Sequence, residues 1–89
     1  MLETLVLPKS LKTIGPYALQ NAGMTSVTFG SSPTIGSYAF SGCKNLKSVV
    51  IDNDVEKYAF QNCTALESVT IKGGCSSIGY AAVTDCTSL

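Results

Sequence analysis

The sequence predicts a stack of about four short repeats, each a β-strand, a loop and a single helical turn, with the strands of successive repeats parallel. Three observations lead there. A segment of the form Ile35-Gly36-Ser37-Tyr38-Ala39-Phe40-Ser41-Gly42-Cys43 has imperfect copies beginning at Ile14, Val55 and Ile78, at spacings of 21, 20 and 23 residues, a period in the range of stacked repeats. A Leu-x-x-Leu-x-Leu pattern recurs between the copies. Between that pattern and each copy lies a connection of variable length, rich in turn-forming residues.

The strands come first in each repeat. Leu2-Glu3-Thr4-Leu5-Val6-Leu7, Met24-Thr25-Ser26-Val27-Thr28-Phe29, Leu46-Lys47-Ser48-Val49-Val50-Ile51 and Leu66-Glu67-Ser68-Val69-Thr70-Ile71 keep apolar residues at the same offsets. Their last residues alternate as a half-buried strand does. Strands that recur every 20 to 22 residues return by a crossover rather than a hairpin, so neighbours run parallel.

The connections are Pro8-Lys9-Ser10-Leu11-Lys12-Thr13, Gly30-Ser31-Ser32-Pro33-Thr34, Asp52-Asn53-Asp54 and Lys72-Gly73-Gly74-Cys75-Ser76-Ser77. Leu11 and Cys75 share an offset from their strands, and both are expected to point inward. In the segment that follows, Gly or Pro at the start and then Ala with a large apolar residue suit one helical turn, and Pro16 fits its first position. Only five or six residues precede the next turn signal at Asn21, Gly42, Asn62 or Asp85. The predicted pieces are therefore 3₁₀ or one-turn α segments. One such repeat buries too little apolar surface to offset the ordering of its own backbone, so burial must be shared between repeats.

Composition narrows the functional classes. With 45% hydrophobic and 13% charged residues, the 89-residue chain is not of disordered type. Six basic and six acidic residues cancel, without a basic cluster, which argues against nucleic acid or an anionic membrane as partner. Apolar runs reach four residues at most, too short for membrane insertion or a signal-peptide core. There is no histidine to serve as a catalytic base, and no glycine-rich phosphate loop follows a strand. The expectation is a non-enzyme without a cofactor.

Taken together, Leu-x-x-Leu-x-Leu/Ile followed by Ile-Gly-x-x-Ala-Phe-x-x-Cys-x-x-Leu resembles the BspA-like leucine-rich repeats of bacterial and protist surface proteins. The resemblance covers the whole chain and is most specific over residues 35–51 and 55–71. It implies an α/β solenoid: a right-handed leucine-rich repeat superhelix with a parallel β-sheet on the concave side and short 3₁₀ or one-turn helices on the convex side. It also implies an extracellular or cell-surface role in adhesion or protein recognition. The departures are Ala22-Gly23-Met24, which lacks the Cys and one residue of spacing, Val55-Glu56 in place of Ile-Gly, and Ala81-Ala82-Val83 in place of Tyr-Ala-Phe. The last two repeats are accordingly expected to be less regular. We expect one domain over 1–89, with repeats at 2–23, 24–45, 46–65 and 66–88, no caps, no signal peptide in this chain, and a longer array of which it is a fragment.

Cys43, Cys63 and Cys86 occupy one repeat position, with Ala22 at the same place in the first copy. That pattern reads as a ladder of buried, reduced thiols. A disulfide between neighbours, or from Cys75 to Cys63 or Cys86, is the alternative in a secreted protein. No Cys-x-x-Cys pair is present, so a metal site is not expected. Asp52-Asn53-Asp54 is an oxygen-rich cluster, but three adjacent residues cannot surround a calcium ion, and a tight Asx turn is the reading. Tyr17, Tyr38 and Tyr58 fall at matching positions and are expected to pack on the convex side with their hydroxyls in water.

The residues between the buried strand positions form columns, and these are the candidate binding surface: Glu3, Thr25, Lys47 and Glu67 in one, Val6, Thr28, Val50 and Thr70 in another, with a column of Thr4, Ser26, Ser48 and Ser68 between them. The partner expected is a protein or glycan. The alternative function is a structural spacer or self-associating array joined end to end through its uncapped repeats.

Overall fold

The computed structural model describes residues 4–89. Six short strands, β1 (Thr4–Leu7), β2 (Thr13–Ile14), β3 (Ser26–Phe29), β4 (Thr34–Ile35), β5 (Ser48–Ile51) and β6 (Ser68–Ile71), are all paired in parallel. Alternation sets the faces: in β5, Ser48 and Val50 are exposed while Val49 and Ile51 are buried. Equivalent residues lie side by side, with Val6 opposite Thr28 and Val50 opposite Thr70. Leu-x-x-Leu-x-Leu segments therefore stack in register, as parallel crossovers require.

The long strands do not form one continuous sheet. β1 pairs with β3 and β5 with β6, but β3 and β5 are joined by Lys47 N–H donating to the Thr25 carbonyl at 3.0 Å, without a full ladder. At the other two junctions the strand ends are closed, by Gly30 N–H to Leu7 O at 3.2 Å and Lys72 N–H to Ile51 O at 2.7 Å. The connection after β3 is two residues longer than the one after β5, and its Pro33 is buried. A cavity of about 230 Å³ lies there, lined by Phe29, Pro33, Ile35, Val50 and Ile51 among others.

A second wall of strand pairing, absent from the sequence expectation, follows each connection. β2 pairs with β4, and single parallel bridges continue from Ile35 to Val55 and from Val55 to Ile78. These are the residues that open each repeated segment. The backbone approach is close at Gly36, where a Cβ would lie 2.7 Å from the Ile14 carbonyl oxygen. That excludes side chains there and explains the glycine following Ile35.

The third wall corrects the expectation of 3₁₀ or one-turn helices. Among the described residues there is no helix, and residues 16–21, 37–42, 57–62 and 80–85 are successive turns. Tyr17, Tyr38, Tyr58 and Ala81 have φ of 61°, 60°, 59° and 54°, and four residues further on Asn21, Gly42, Asn62 and Asp85 have φ of 61°, 75°, 62° and 60°. A left-handed residue at every fourth position prevents a helix from propagating. It also divides the amides into two sets. Ala18 and Gln20 donate back three residues, to Gly15 and Tyr17, whereas Tyr17, Leu19 and Asn21 donate to Ser37, Ala39 and Ser41 of the next repeat at 2.8–3.0 Å.

The core lies between the three walls. Phe40, Phe60, Leu46, Leu66, Val55, Cys43 and Cys63 are its largest fully enclosed side chains, and the Phe40 and Phe60 rings stack at 5.0 Å. Leu11 and Cys75 are half-buried and pack against it, as their shared offset predicts. Every described buried side-chain nitrogen or oxygen has a hydrogen-bond partner.

Candidate functional site

The strand wall presents the candidate columns. Val6 is 69% exposed and Val50 45%, and Thr28, Lys47, Glu67 and Thr70 are also exposed. Thr25 is half-buried, its carbonyl taken by Lys47 N–H. Glu3 lies outside the described residues. The structure groups the rest into two patches, Val6 beside Thr28 on β1–β3 and Val50 beside Thr70 on β5–β6, the latter with Lys47 and Glu67 immediately before those strands, divided by the seam between β3 and β5. Between the columns, Thr4 and Ser26 hydroxyls meet at 2.9 Å. This hydroxyl pair helps hold the β1–β3 register beside the exposed Val6.

The cysteine ladder has a geometric role that repeat spacing alone does not reveal. Cys43 Sγ donates to the Leu19 carbonyl at 3.2 Å, Cys63 Sγ to Phe40 at 3.1 Å and Cys86 Sγ to Phe60 at 3.1 Å. Each thiol satisfies a main-chain acceptor of the preceding repeat. All four cysteines are free thiols. The hydrogen bond shared with Cys43, together with burial, pushes the Cys63 thiol well above its ordinary pKa, and burial pushes Cys86 up. The same hydrogen bond draws the Cys43 thiol below its ordinary pKa. Raised values disfavour the reactive thiolate, so Cys63 and Cys86 serve as weak donors and small apolar groups.

The Asp52-Asn53-Asp54 loop is a set of braces between repeats. Asp54 Oδ1 accepts from Ser76 N–H at 2.8 Å, Ser76 Oγ at 2.9 Å and Ser77 N–H at 3.0 Å; Asp52 Oδ1 accepts from Gly74 N–H at 2.8 Å. Asn53 Nδ2 donates to the Ser32 carbonyl at 2.8 Å. The backbone donor at Ser76, its hydroxyl and the Ser77 amide hold the Asp54 carboxyl below its usual pKa. Among the described residues no group of three or more His, Cys, Asp or Glu could hold a metal ion, and no helix is long and apolar enough to cross a membrane.

The tyrosines form the stacked strip that matching positions allow. Tyr17 and Tyr38 rings lie 4.9 Å apart and 2° from parallel, Tyr38 and Tyr58 5.1 Å and 10°, and Tyr80 meets Tyr58 edge-on at 5.8 Å. The strip lies on the turn wall, apart from the strand patches.

Parallel strands in register every repeat, a core of leucine-type positions and turns in place of helices define a leucine-rich-repeat protein, a class built for protein interaction. The family model described as BspA type Leucine rich repeat region (6 copies) matches residues 1–89, and the chain belongs to that family. No curated protein and no solved structure matches the chain.

Proposed function

We propose that this chain is a non-catalytic section of a right-handed solenoid whose strand wall is the concave, ligand-binding surface, working outside the cell on a protein partner. The observation that carries the reading is the exposure of Val6 and Val50 at equivalent positions of the strand wall. Its family is typically surface-associated. The patches are small and mild, without the Trp, Tyr or Arg that anchors strong hot spots, so affinity is built by several repeats acting together.

Val50→Glu tests this. Proteins captured from extracellular extract by the immobilised wild-type chain should be lost with Val50→Glu, while the melting temperature stays within a few degrees. Equal capture by the variant would exclude the strand wall as the binding surface.

A second reading, a repeat array that associates through its ends, is favoured by the apolar residues exposed on the last repeat, Ile71, Ile78 and Val83. A glycan as the partner has no aromatic platform on the strand wall to support it.

A further inference from the structure

Two opposite charges line a single cavity without pairing with each other. The cavity, of about 230 Å³, lies inside the stack between the second and third repeats, beside the seam that separates β3 from β5. Its floor is apolar. Phe29, Pro33, Ile35 and Ile51 form it, and Ile35 and Ile51 are each only 2% exposed, so the floor is continuous with the core. Ser31, Ser32, Val50, Asp52 and Lys72 complete the lining. Ser32, Val50 and Lys72 are exposed and Asp52 half-buried, which places the charged groups at the mouth.

The rim is held by bonds between repeats. Asp52 Oδ1 accepts from Gly74 N–H at 2.8 Å, whereas Oδ2 lies 3.5 Å from the Ser32 hydroxyl, a long contact that leaves this oxygen open to a stronger donor. Asn53 Nδ2 donates to the Ser32 carbonyl at 2.8 Å, and Ser31 Oγ to the Leu11 carbonyl at 2.6 Å. The carboxylate is therefore oriented before any ligand arrives. Lys72 stands one rung away, its N–H bonded to the Ile51 carbonyl at 2.7 Å. Among the described residues its ammonium has no ion-pair partner.

An apolar floor asks for an apolar body, and a volume below the roughly 300–1,000 Å³ of drug-sized sites suits a body the size of one side chain. The mouth asks for two charges. An ammonium answers Asp52 and a carboxylate answers Lys72, through charge-assisted hydrogen bonds stronger than neutral ones. Neighbouring rungs of a parallel sheet are about 4.8 Å apart, close enough for both charges to be carried on one carbon of the ligand. We infer that this cavity binds a free α-amino acid with a branched aliphatic or aromatic side chain. The side chain lies on Phe29, Ile35 and Ile51, the ammonium meets Asp52 Oδ2, and the carboxylate meets Lys72. An internal peptide residue carries neither charge and a terminal one carries only one, so the cavity selects the free amino acid over both. The site goes beyond the protein contact proposed for the strand wall and does not depend on it.

Titration of the isotopically labelled chain, followed through its amide resonances, tests the site and its polarity. L-leucine and L-phenylalanine should give saturable shifts at residues 29–35, 50–52 and 72. N-acetyl-leucine, which lacks the ammonium, and leucinamide, which lacks the carboxylate, should each bind at least about ten-fold more weakly than leucine. Lys72→Met should reduce leucine to the affinity of leucinamide and leave leucinamide unchanged. Asp52→Asn, which keeps an acceptor for Gly74 N–H, should reduce leucine to the affinity of N-acetyl-leucine and leave that ligand unchanged. Circular dichroism checks the folding of both variants, and the capped ligands make the same comparison on the wild-type chain if either variant unfolds. If neither leucine nor phenylalanine gives a saturable shift at these residues up to its solubility limit, the site is wrong. Capped forms that bind as tightly as leucine overturn the assignment to a free amino acid.

Discussion

Residues 35–66 and residues 67–89 contain nearly the same pattern and have very different interiors. Ile35, Phe40, Leu46, Val49, Ile51, Val55 and Phe60 are buried, whereas their later equivalents Ile71, Ile78, Val83 and Leu89 are exposed. The strand pairing does not account for the difference, since β5 and β6 are joined in full register. Covering does. A side chain in the middle of the stack is enclosed by a repeat on each side, and one in the last described repeat by a repeat on one side only. Burial here is set by place in the stack, as expected of a fold whose units contact only their neighbours.

The largest break in the comparison is expected from Phe60→Ala against Val83→Ala. Phe60 is fully enclosed and stacked on Phe40, so its loss should cost about 3–5 kcal/mol. Val83 occupies the same repeat position, and its truncation should cost only about 1 kcal/mol. Chemical denaturation of the two variants measures both, and equal losses would show that the last repeat is enclosed after all.

A smaller and opposite pair of effects comes from the turn wall. Gly42 has φ of 75°, and a Cβ there would run into the Asn21 side chain; Gly42→Ala should destabilise by about 1–2 kcal/mol. Ala81 has φ of 54° at a position where glycine is less strained, and Ala81→Gly should raise stability by up to about 1 kcal/mol. Thermal melts of both variants check the signs.

The smallest effect belongs to the loop braces. Asp54 is held below its usual pKa by Ser76 and Ser77, so the folded chain keeps it ionised at pH values where the unfolded chain protonates it. Its contribution is complete above the ordinary carboxylate range and is lost as pH falls through the lowered pKa. Asp54 is solvent-accessible, which keeps the contribution modest. Stability measured against pH should decline on acidification, and Asp54→Asn should flatten that decline.

The long strands were legible because alternation over four residues needs a buried face, and the family resemblance was legible because the motif pieces recur together. The second strand wall was not. β2 and β4 are two residues long, and Val55 and Ile78 make single bridges, too short for any periodicity to develop. On the turn wall, Asn21, Gly42, Asn62 and Asp85 are ordinary signals for a left-handed residue, but Tyr17, Tyr38 and Tyr58 are not. Reading those tyrosines as ordinary residues of a helical turn produced the expectation of helices. The seam between β3 and β5 falls between two segments of the same pattern, Ser26–Phe29 and Ser48–Ile51, and neither segment's alternation marks it. As for the candidate site, the exposed columns followed from alternation, whereas their division into two patches followed from the seam. The cysteine position was recognisable as buried, but the carbonyls that Cys43, Cys63 and Cys86 engage belong to other repeats and come close only on stacking.

The most direct test of the stacking account is residue-resolved amide hydrogen exchange on the turn wall, by nuclear magnetic resonance at a concentration where the chain is monomeric. Tyr58, Phe60 and Asn62 donate to the following repeat, and the equivalent Ala81, Val83 and Asp85 have no described acceptor. The expected result is strong protection of the first three amides and rapid exchange of the second three. Equal protection of both sets would contradict a one-directional ladder whose last repeat is uncovered.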